Sequence, residues 1–137
     1  MADGRLPDSP LRNQLWEVLG CRTAAEIKAF VVQPDFQPAQ LAQLAPLVSA
    51  AAEAGNLEAA AILNRSGNAL AEAVQAVALS LGLTQPRLCA RGGALLNLTP
   101  LQQAVDASLR RRQVDARWED RNGDACDGAL TLALESC

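Results

Sequence analysis

The chain has 137 residues, of which 50% are hydrophobic and 20% are charged, and its formal net charge is −3. This size and this apolar fraction are sufficient for one domain with a core, and they exclude a disordered chain. The sequence contains no histidine, which excludes a catalytic histidine, a histidine-containing metal site and a Ser-His-Asp triad. The apolar residues are mainly alanine, leucine and valine, and alanine and leucine favour helix.

The positive charges form no stripe of the kind that binds a nucleic acid. Lys28 is the only lysine, and the eleven arginines are scattered except for residues 110–112. At the end of a helix such a run offsets the helix dipole and extends into solvent. We therefore expect neither a nucleic-acid partner nor a phosphate site from these residues.

The four cysteines are far apart and form no C-x-x-C pair: Cys21, Cys89, Cys126 and Cys137. The N-terminus lacks the charged start and apolar run of a signal peptide, and no apolar stretch reaches the roughly 18 residues of a membrane helix. We therefore expect a cytoplasmic protein with reduced thiols and no membrane partner. We expect no metal site either, because the acidic loop at residues 119–127 lacks the oxygen spacing of a calcium loop.

Residues 1–84 are predicted to be a helical segment. Ser9 is placed as the N-cap of a first helix that ends before Gly20. Residues 23–26, with the sequence TAAE, form a capping box at the start of a second short helix. Both helices are therefore marked by local signals at their starts.

Two longer helices complete this segment. Apolar residues recur at helical spacing over residues 38–54, and Gly55 follows them as a C-terminal cap. Asn56 then caps a helix over residues 57–81, in which the small residues 66–67 allow a bend or close packing. We expect these two helices to form an antiparallel pair joined by the Gly-Asn turn.

Residues 85–137 have a different character, with a strand-helix-strand-helix order. The predicted elements are a short buried strand, a glycine turn, a capped helix, a second strand and a terminal helix, over residues 86–90, 91–93, 99–109, 114–118 and 129–135. A helical segment followed by this alternation predicts a mainly helical α/β fold. Because no linker separates the two segments, residues 1–137 are predicted to form a single domain.

The glycine pair Gly92-Gly93 is the candidate ligand site. It follows a predicted strand and precedes a helix, where missing Cβ atoms let a base or ribose lie against the backbone. A branched side chain at Gly93 is expected to fill that space and to strain the turn. Taken alone, such a pair is more often ordinary turn chemistry, and the chain has neither G-x-G-x-x-G nor a P-loop.

Three segments share their order with a known family. Residues 53–74 (EAGNLEAAAILNRSGNALAEAV) resemble a segment in which A-E-x-G-D precedes a helix with I-L, A-G and L-A. Residues 88–97 (LCARGGALLN) resemble an adenosine motif, usually V-x-L-x-G-G-V-x-x-N, with Arg91 where a small or apolar residue is usual. Residues 124–133 (DACDGALTLA) resemble a closing helix with G-A-L-x-L-A. The set resembles the C-terminal part of the BadF/BadG/BcrA/BcrD ATPase and N-acetylglucosamine kinase family.

The resemblance implies part of an actin-like, ribonuclease H-like ATPase lobe with ATP as the cofactor. It assigns adenosine contacts to Gly92, Gly93 and Ala94, and packing of the terminal helix at the hinge to Gly128 and Ala129. It implies no catalytic residue here, because the family's D-G-G-G-T loop, catalytic aspartate and G-D-E-G-S loop do not occur in the chain. Mg²⁺ is implied only for a complete family member.

We therefore expect the C-terminal fragment of an ATP-dependent sugar kinase that is inactive alone and binds ATP weakly or vestigially. Its expected partner is the missing N-terminal kinase half or a second copy of the chain. The alternative from the sequence is a non-catalytic helical module that binds another protein.

Overall fold

The computed structural model describes residues 9–119 and 132–134. Its elements, in chain order, are α1 (Pro10–Val18), α2 (Ala24–Val31), α3 (Pro38–Ala42), α4 (Ala45–Glu53), α5 (Leu57–Ser80), β1 (Arg87–Cys89), α6 (Gly93–Asn97), α7 (Thr99–Arg111) and β2 (Arg117–Glu119). Helices predominate and the two strands form one small sheet, so the mainly helical α/β class is confirmed.

Side-chain caps begin α1 and α2. Ser9 Oγ accepts the backbone N–H of Arg12 at 3.1 Å, and Thr23 Oγ1 accepts that of Glu26 at 3.2 Å. The Glu26 carboxylate accepts the N–H of Arg22 at 2.5 Å, one residue before the amide that a capping box uses. The predicted helix starts are confirmed, and the return hydrogen bond is displaced by one residue.

The periodic stretch at residues 38–54 forms two helices rather than the single helix predicted. The first ends at Ala42 and the second begins at Ala45. Pro46 explains the break, because it has no N–H to donate to the Ala42 carbonyl and its ring clashes with that carbonyl. In the first turn of α4 the same proline is tolerated, since an N–H there has no partner within the helix.

The long helix α5 has 24 residues and no interruption, as predicted. Asn56 Oδ1 accepts the backbone N–H of Ala59 at 2.9 Å and so caps its start. Gly55 precedes it with φ +88°, a conformation that glycine adopts without the Cβ clash of other residues. The Gly-Asn turn therefore separates α4 from α5 as the sequence indicates.

Gly67 lets α5 and α7 approach closely. It is buried, and a Cβ atom added to it would lie 2.7 Å from the Ala104 carbonyl carbon and 2.8 Å from the Val105 backbone nitrogen. Backbone atoms cannot shift aside as a flexible side chain can, so a larger residue would push the helices apart. Of the two roles predicted for residues 66–67, the structure supports close packing.

Two clusters of buried side chains lie along α5 and α7. The first also includes residues of α1 and α4, and its members are Leu11, Val48, Ala59, Leu63, Leu98 and Leu101. The second consists of Ala71, Val105 and Leu109, and Leu88 of β1 packs against it. Burial of apolar surface is the main favourable term in folding, and here α5 and α7 contribute to both clusters.

A polar network joins α5 to the C-terminal end of α7 and to Arg112, which follows it. Ser108 is fully buried, and its Oγ donates to Asn68 Oδ1 at 2.9 Å. The Arg112 guanidinium donates to Asn68 Oδ1 at 3.2 Å and to Gln75 Oε1 at 2.9 Å. Because a buried hydroxyl without a partner is costly, this network favours one register between the helices.

The strands β1 and β2 are parallel, and the residues opposite each other are Arg87 and Arg117, Leu88 and Trp118, and Cys89 and Glu119. A buried first strand is predicted, but only Leu88 is half-buried, and Arg87 and Cys89 are exposed. Side chains alternate between the two faces of a strand, so Leu88 packs on the second cluster while its neighbours point away from it.

The second strand begins at Arg117, three residues later than predicted. Val114 and Ala116 precede it and pack against the second cluster without strand pairing. Their apolar character, which suggests a strand in the sequence, thus reflects core packing by irregular chain.

Part of the predicted terminal helix is observed. Residues 132–134 are helical, whereas Gly128 and Ala129 lie outside the described residues, as does the acidic loop beyond Glu119. In the described part of the chain, no helix has the length and apolar character needed to cross a membrane.

Gly67→Ala is expected to lower the free energy of unfolding. Overpacking costs about 1–3 kcal/mol, which exceeds the gain of about 0.5–1 kcal/mol from replacing glycine within a helix. Urea unfolding followed by circular dichroism measures the difference. Ser66→Ala, at the exposed neighbouring position, is the matched control and is expected to change stability little; equal stability of the wild type and Gly67→Ala would contradict the close contact.

Candidate functional site

A cleft opens where β1 and β2 end. Its volume is about 470 Å³, and its lining residues come from the ends of both strands, from α6 and from α7: Ala90, Leu95, Leu96, Gln102, Asp106, Trp118 and Glu119. This volume is typical of small-molecule sites. In open α/β sheets ligands bind beyond the carboxyl ends of the parallel strands, so this cleft is the candidate functional site.

Trp118 provides the aromatic part of the lining. Its indole Nε1 donates to Asp106 Oδ1 at 2.6 Å, and 42% of the residue remains exposed. A hydrogen bond to a carboxylate is stronger than one between neutral groups. The orientation of an indole on β2 is therefore restrained by a carboxylate on α7.

Helix α6 provides the aliphatic part. Leu95 is half-buried and packs against both core clusters, whereas Leu96 is exposed. Gln102 Nε2 donates to the Leu95 carbonyl oxygen at 2.5 Å. This short helix is thus held by apolar packing and by a hydrogen bond to α7.

The charged part of the described lining is acidic. It contains the carboxylates of Asp106 and Glu119, and no lysine or arginine is among the described residues that line the cleft. Arg87 Nη1 lies 3.2 Å from Glu119 Oε1, and both side chains are exposed. An exposed ion pair of this kind contributes little to stability. The cleft suits a neutral ligand with hydrogen-bond donors better than an anion.

The predicted site residues Gly92, Gly93 and Ala94 lie beside this cleft rather than in its lining. All three are exposed. They connect Ala90 to Leu95, both of which line the cleft. The turn therefore connects two parts of the lining and leads into α6.

Gly92 is the glycine that the turn requires. Its φ of +84° and ψ of 154° lie in a region that is almost exclusive to glycine. Gly93 has no positive φ, and a Cβ atom there would lie 3.7 Å from Asn97 Nδ2, an ordinary contact. A side chain is thus strained at position 92 and not, as expected from the sequence, at position 93.

Sequence reasoning missed Gln102, Asp106 and Trp118. They belong to two elements and form no motif in the sequence. One signal pointed to Trp118, because a tryptophan at the carboxyl end of a predicted strand reaches the edge where ligands of α/β sheets bind. Its partner Asp106 could not be identified without the packing of α7 against the sheet.

The cysteines and acidic residues form no metal site in the described part of the chain. Cys21 is a buried free thiol and Cys89 is exposed; Cys126 and Cys137 lie outside the described residues. Within residues 9–119 and 132–134, no group of three histidine, cysteine or acidic residues is arranged to hold a metal ion.

Comparisons of the chain with protein-family models, with curated proteins and with solved structures found no match. We therefore infer a function from the cleft and the residues that surround it.

Gly92→Ala is expected to lower the free energy of unfolding by about 1–3 kcal/mol, because alanine is strained at this φ and ψ. Gly93→Ala is the matched control and is expected to change stability by less than about 1 kcal/mol, since its Cβ fits in a helical position. Chemical unfolding of both variants measures the difference. Equal losses at the two positions would show that the turn has another conformation.

Proposed function

We propose that this chain is the C-terminal part of an ATP-dependent sugar kinase related to the BadF/BadG/BcrA/BcrD ATPase and N-acetylglucosamine kinase family. In this proposal the cleft holds the adenosine part of the nucleotide. The position of the cleft is the main support for this proposal. The cleft lies beyond the carboxyl ends of β1 and β2 and next to the Gly92-Gly93 turn. Nucleotides bind at this edge in many α/β proteins.

The order of the elements supports the same proposal. A long helix, a strand, a glycine turn, further helices and a second parallel strand follow one another from α5 to β2. The resemblance implies this order for the C-terminal part of an actin-like, ribonuclease H-like lobe, which is the finer fold that we propose. The parallel pairing of β1 and β2 is consistent with this order, because strands that alternate with helices form parallel sheets in α/β folds.

The residues of the cleft fit adenosine better than the whole nucleotide. Aliphatic and aromatic side chains suit the base, and the carboxylates of Asp106 and Glu119 suit the hydroxyl groups of ribose. Phosphates are normally bound by glycine-loop amides, helix N-termini and Mg²⁺, and the family's phosphate loops do not occur in these 137 residues. We therefore assign the phosphates, Mg²⁺ and sugar to the N-terminal kinase half, because a second copy of this chain would lack the same loops.

A specific observation favours the second function, a non-catalytic helical module that binds another protein. Leu70, Val77 and Leu81 lie on one side of α5 and just beyond its end, and they are 39%, 55% and 65% exposed. Exposed apolar residues on one helix face are typical of contact surfaces. The two functions differ in their ligand, because only the kinase function requires nucleoside binding in the cleft.

Adenosine is expected to bind weakly, with Kd near or above roughly 1 mM, and ATP is expected to bind no more tightly than adenosine. The cleft can bury the base, but its acidic lining offers nothing to the triphosphate. Saturation-transfer NMR with the full 137-residue chain, with and without Mg²⁺, compares the two ligands. Micromolar ATP binding that far exceeds adenosine binding would reveal a phosphate site in this chain and contradict the proposed division of the nucleotide.

The chain alone is expected to transfer no phosphate from ATP to N-acetylglucosamine or glucose. Phosphoryl transfer depends on positioning and charge stabilisation, and the motifs that provide both in the family do not occur here. A coupled assay for ADP release checks this, with a complete family kinase as the positive control. Turnover of about 1 s⁻¹ or more, which is ordinary for an enzyme, would contradict it.

A further inference from the structure

Trp118 is an accessible aromatic side chain. All three residues of β2 are exposed, and Trp118 belongs to neither core cluster. A large aromatic side chain usually contributes to folding by burial, but here 42% of the residue is accessible and its ring lines a cleft. Trp118 is thus available to a ligand in a way that core residues are not.

The Asp106 carboxylate holds the indole by its polar edge. The Nε1–Oδ1 distance of 2.6 Å satisfies the only hydrogen-bond donor of the ring. What the ring can still offer a ligand is therefore its π-surface. A ring that is oriented before binding also loses less side-chain freedom when a ligand stacks on it.

The rest of the lining indicates what kind of ligand stacks there. Leu95 and Leu96 supply aliphatic surface, whereas Asp106 and Glu119 supply acceptor oxygens. A flat heteroaromatic group with hydroxyl or amino donors matches both, and an anionic group does not. A purine nucleoside has this chemistry, with a two-ring base and a ribose that donates hydrogen bonds.

We propose that Trp118 recognises the base in the cleft by stacking on a purine, and that Asp106 is the positioning residue that orients its indole. This inference rests on the proposed function and adds the side chain that selects the base. Aromatic side chains that stack on nucleobases contribute substantially to binding and tolerate any base with a large π-surface. Adenosine is therefore expected to bind more tightly than uridine, whose single ring stacks less.

In the test, Trp16 serves as an internal control for Trp118. Trp16 lies on α1, where the Arg12 guanidinium is 4.6 Å from the centre of its ring, and it does not line the cleft. In the ¹⁵N-labelled 137-residue chain, adenosine is expected to shift the indole N–H resonance of Trp118 and to leave that of Trp16 in place. Trp16→Phe assigns the two resonances.

Variants then separate stacking from folding. Trp118→Leu is expected to weaken adenosine binding at least about 5-fold in saturation-transfer NMR, and Trp118→Phe is expected to restore most of it because phenylalanine still stacks. Asp106→Leu is expected to move the Trp118 indole resonance of the free protein and to weaken binding. Asp106→Asn, which keeps an acceptor oxygen, is expected to restore both. Circular dichroism establishes that each variant is folded.

The outcomes distinguish this inference from the proposed function. Adenosine binding that shifts amides at the Gly92-Gly93 turn but is unchanged in Trp118→Leu would overturn the role of Trp118 and leave the proposed function in place. Adenosine binding that shifts only resonances remote from the cleft would overturn both. Failure of the wild-type chain to bind adenosine at 10-fold above the expected Kd of roughly 1 mM would also overturn both.

Discussion

The close contact between α5 and α7 at Gly67 is the constraint on which the rest of the structure depends. An added Cβ would lie 2.7 Å from the backbone of α7, so the two helices can pack at this distance only with glycine at the crossing. The register of the two helices is fixed by a hydrogen bond between Asn68, the residue after Gly67 on α5, and Ser108, one turn beyond the contact on α7. Since α7 also carries Gln102 and Asp106, the crossing determines where the polar groups of the cleft lie. Packing at the centre of the fold thus sets the geometry of the site at its edge.

Features marked by local chemistry could be predicted from the sequence. The caps at Ser9, Thr23 and Asn56 identify the starts of three helices, because a side-chain oxygen next to an apolar periodic stretch is a strong signal. Periodicity alone failed at residues 38–54, where the missing N–H of Pro46 outweighs the apolar pattern. The prediction that β1 is buried was also wrong, because the apolar content of a short strand does not show how many of its faces are covered by other residues.

The candidate site likewise contains one feature that the sequence indicates and one that it does not. The turn at Gly92 was identifiable because a glycine pair between a strand and a helix is a local signal, although which of the two glycines has the positive φ is visible only in the backbone. The contact between Trp118 and Asp106 joins β2 to α7, and no spacing rule in one sequence encodes such a pair. The proposed kinase function connects both observations, because a glycine turn and an anchored indole at one sheet edge suit the base of a nucleotide.

We propose that the cleft at the ends of β1 and β2 binds the base of adenosine. Intermolecular nuclear Overhauser effects on the full chain, at an adenosine concentration above the roughly millimolar Kd expected, test it most directly. We expect contacts from the adenine H2 and H8 protons to the Trp118 ring and to the methyl groups of Leu95 and Leu96, which line the cleft. Contacts to the exposed face of α5 instead, or to none of these side chains while the ligand is bound, would contradict it.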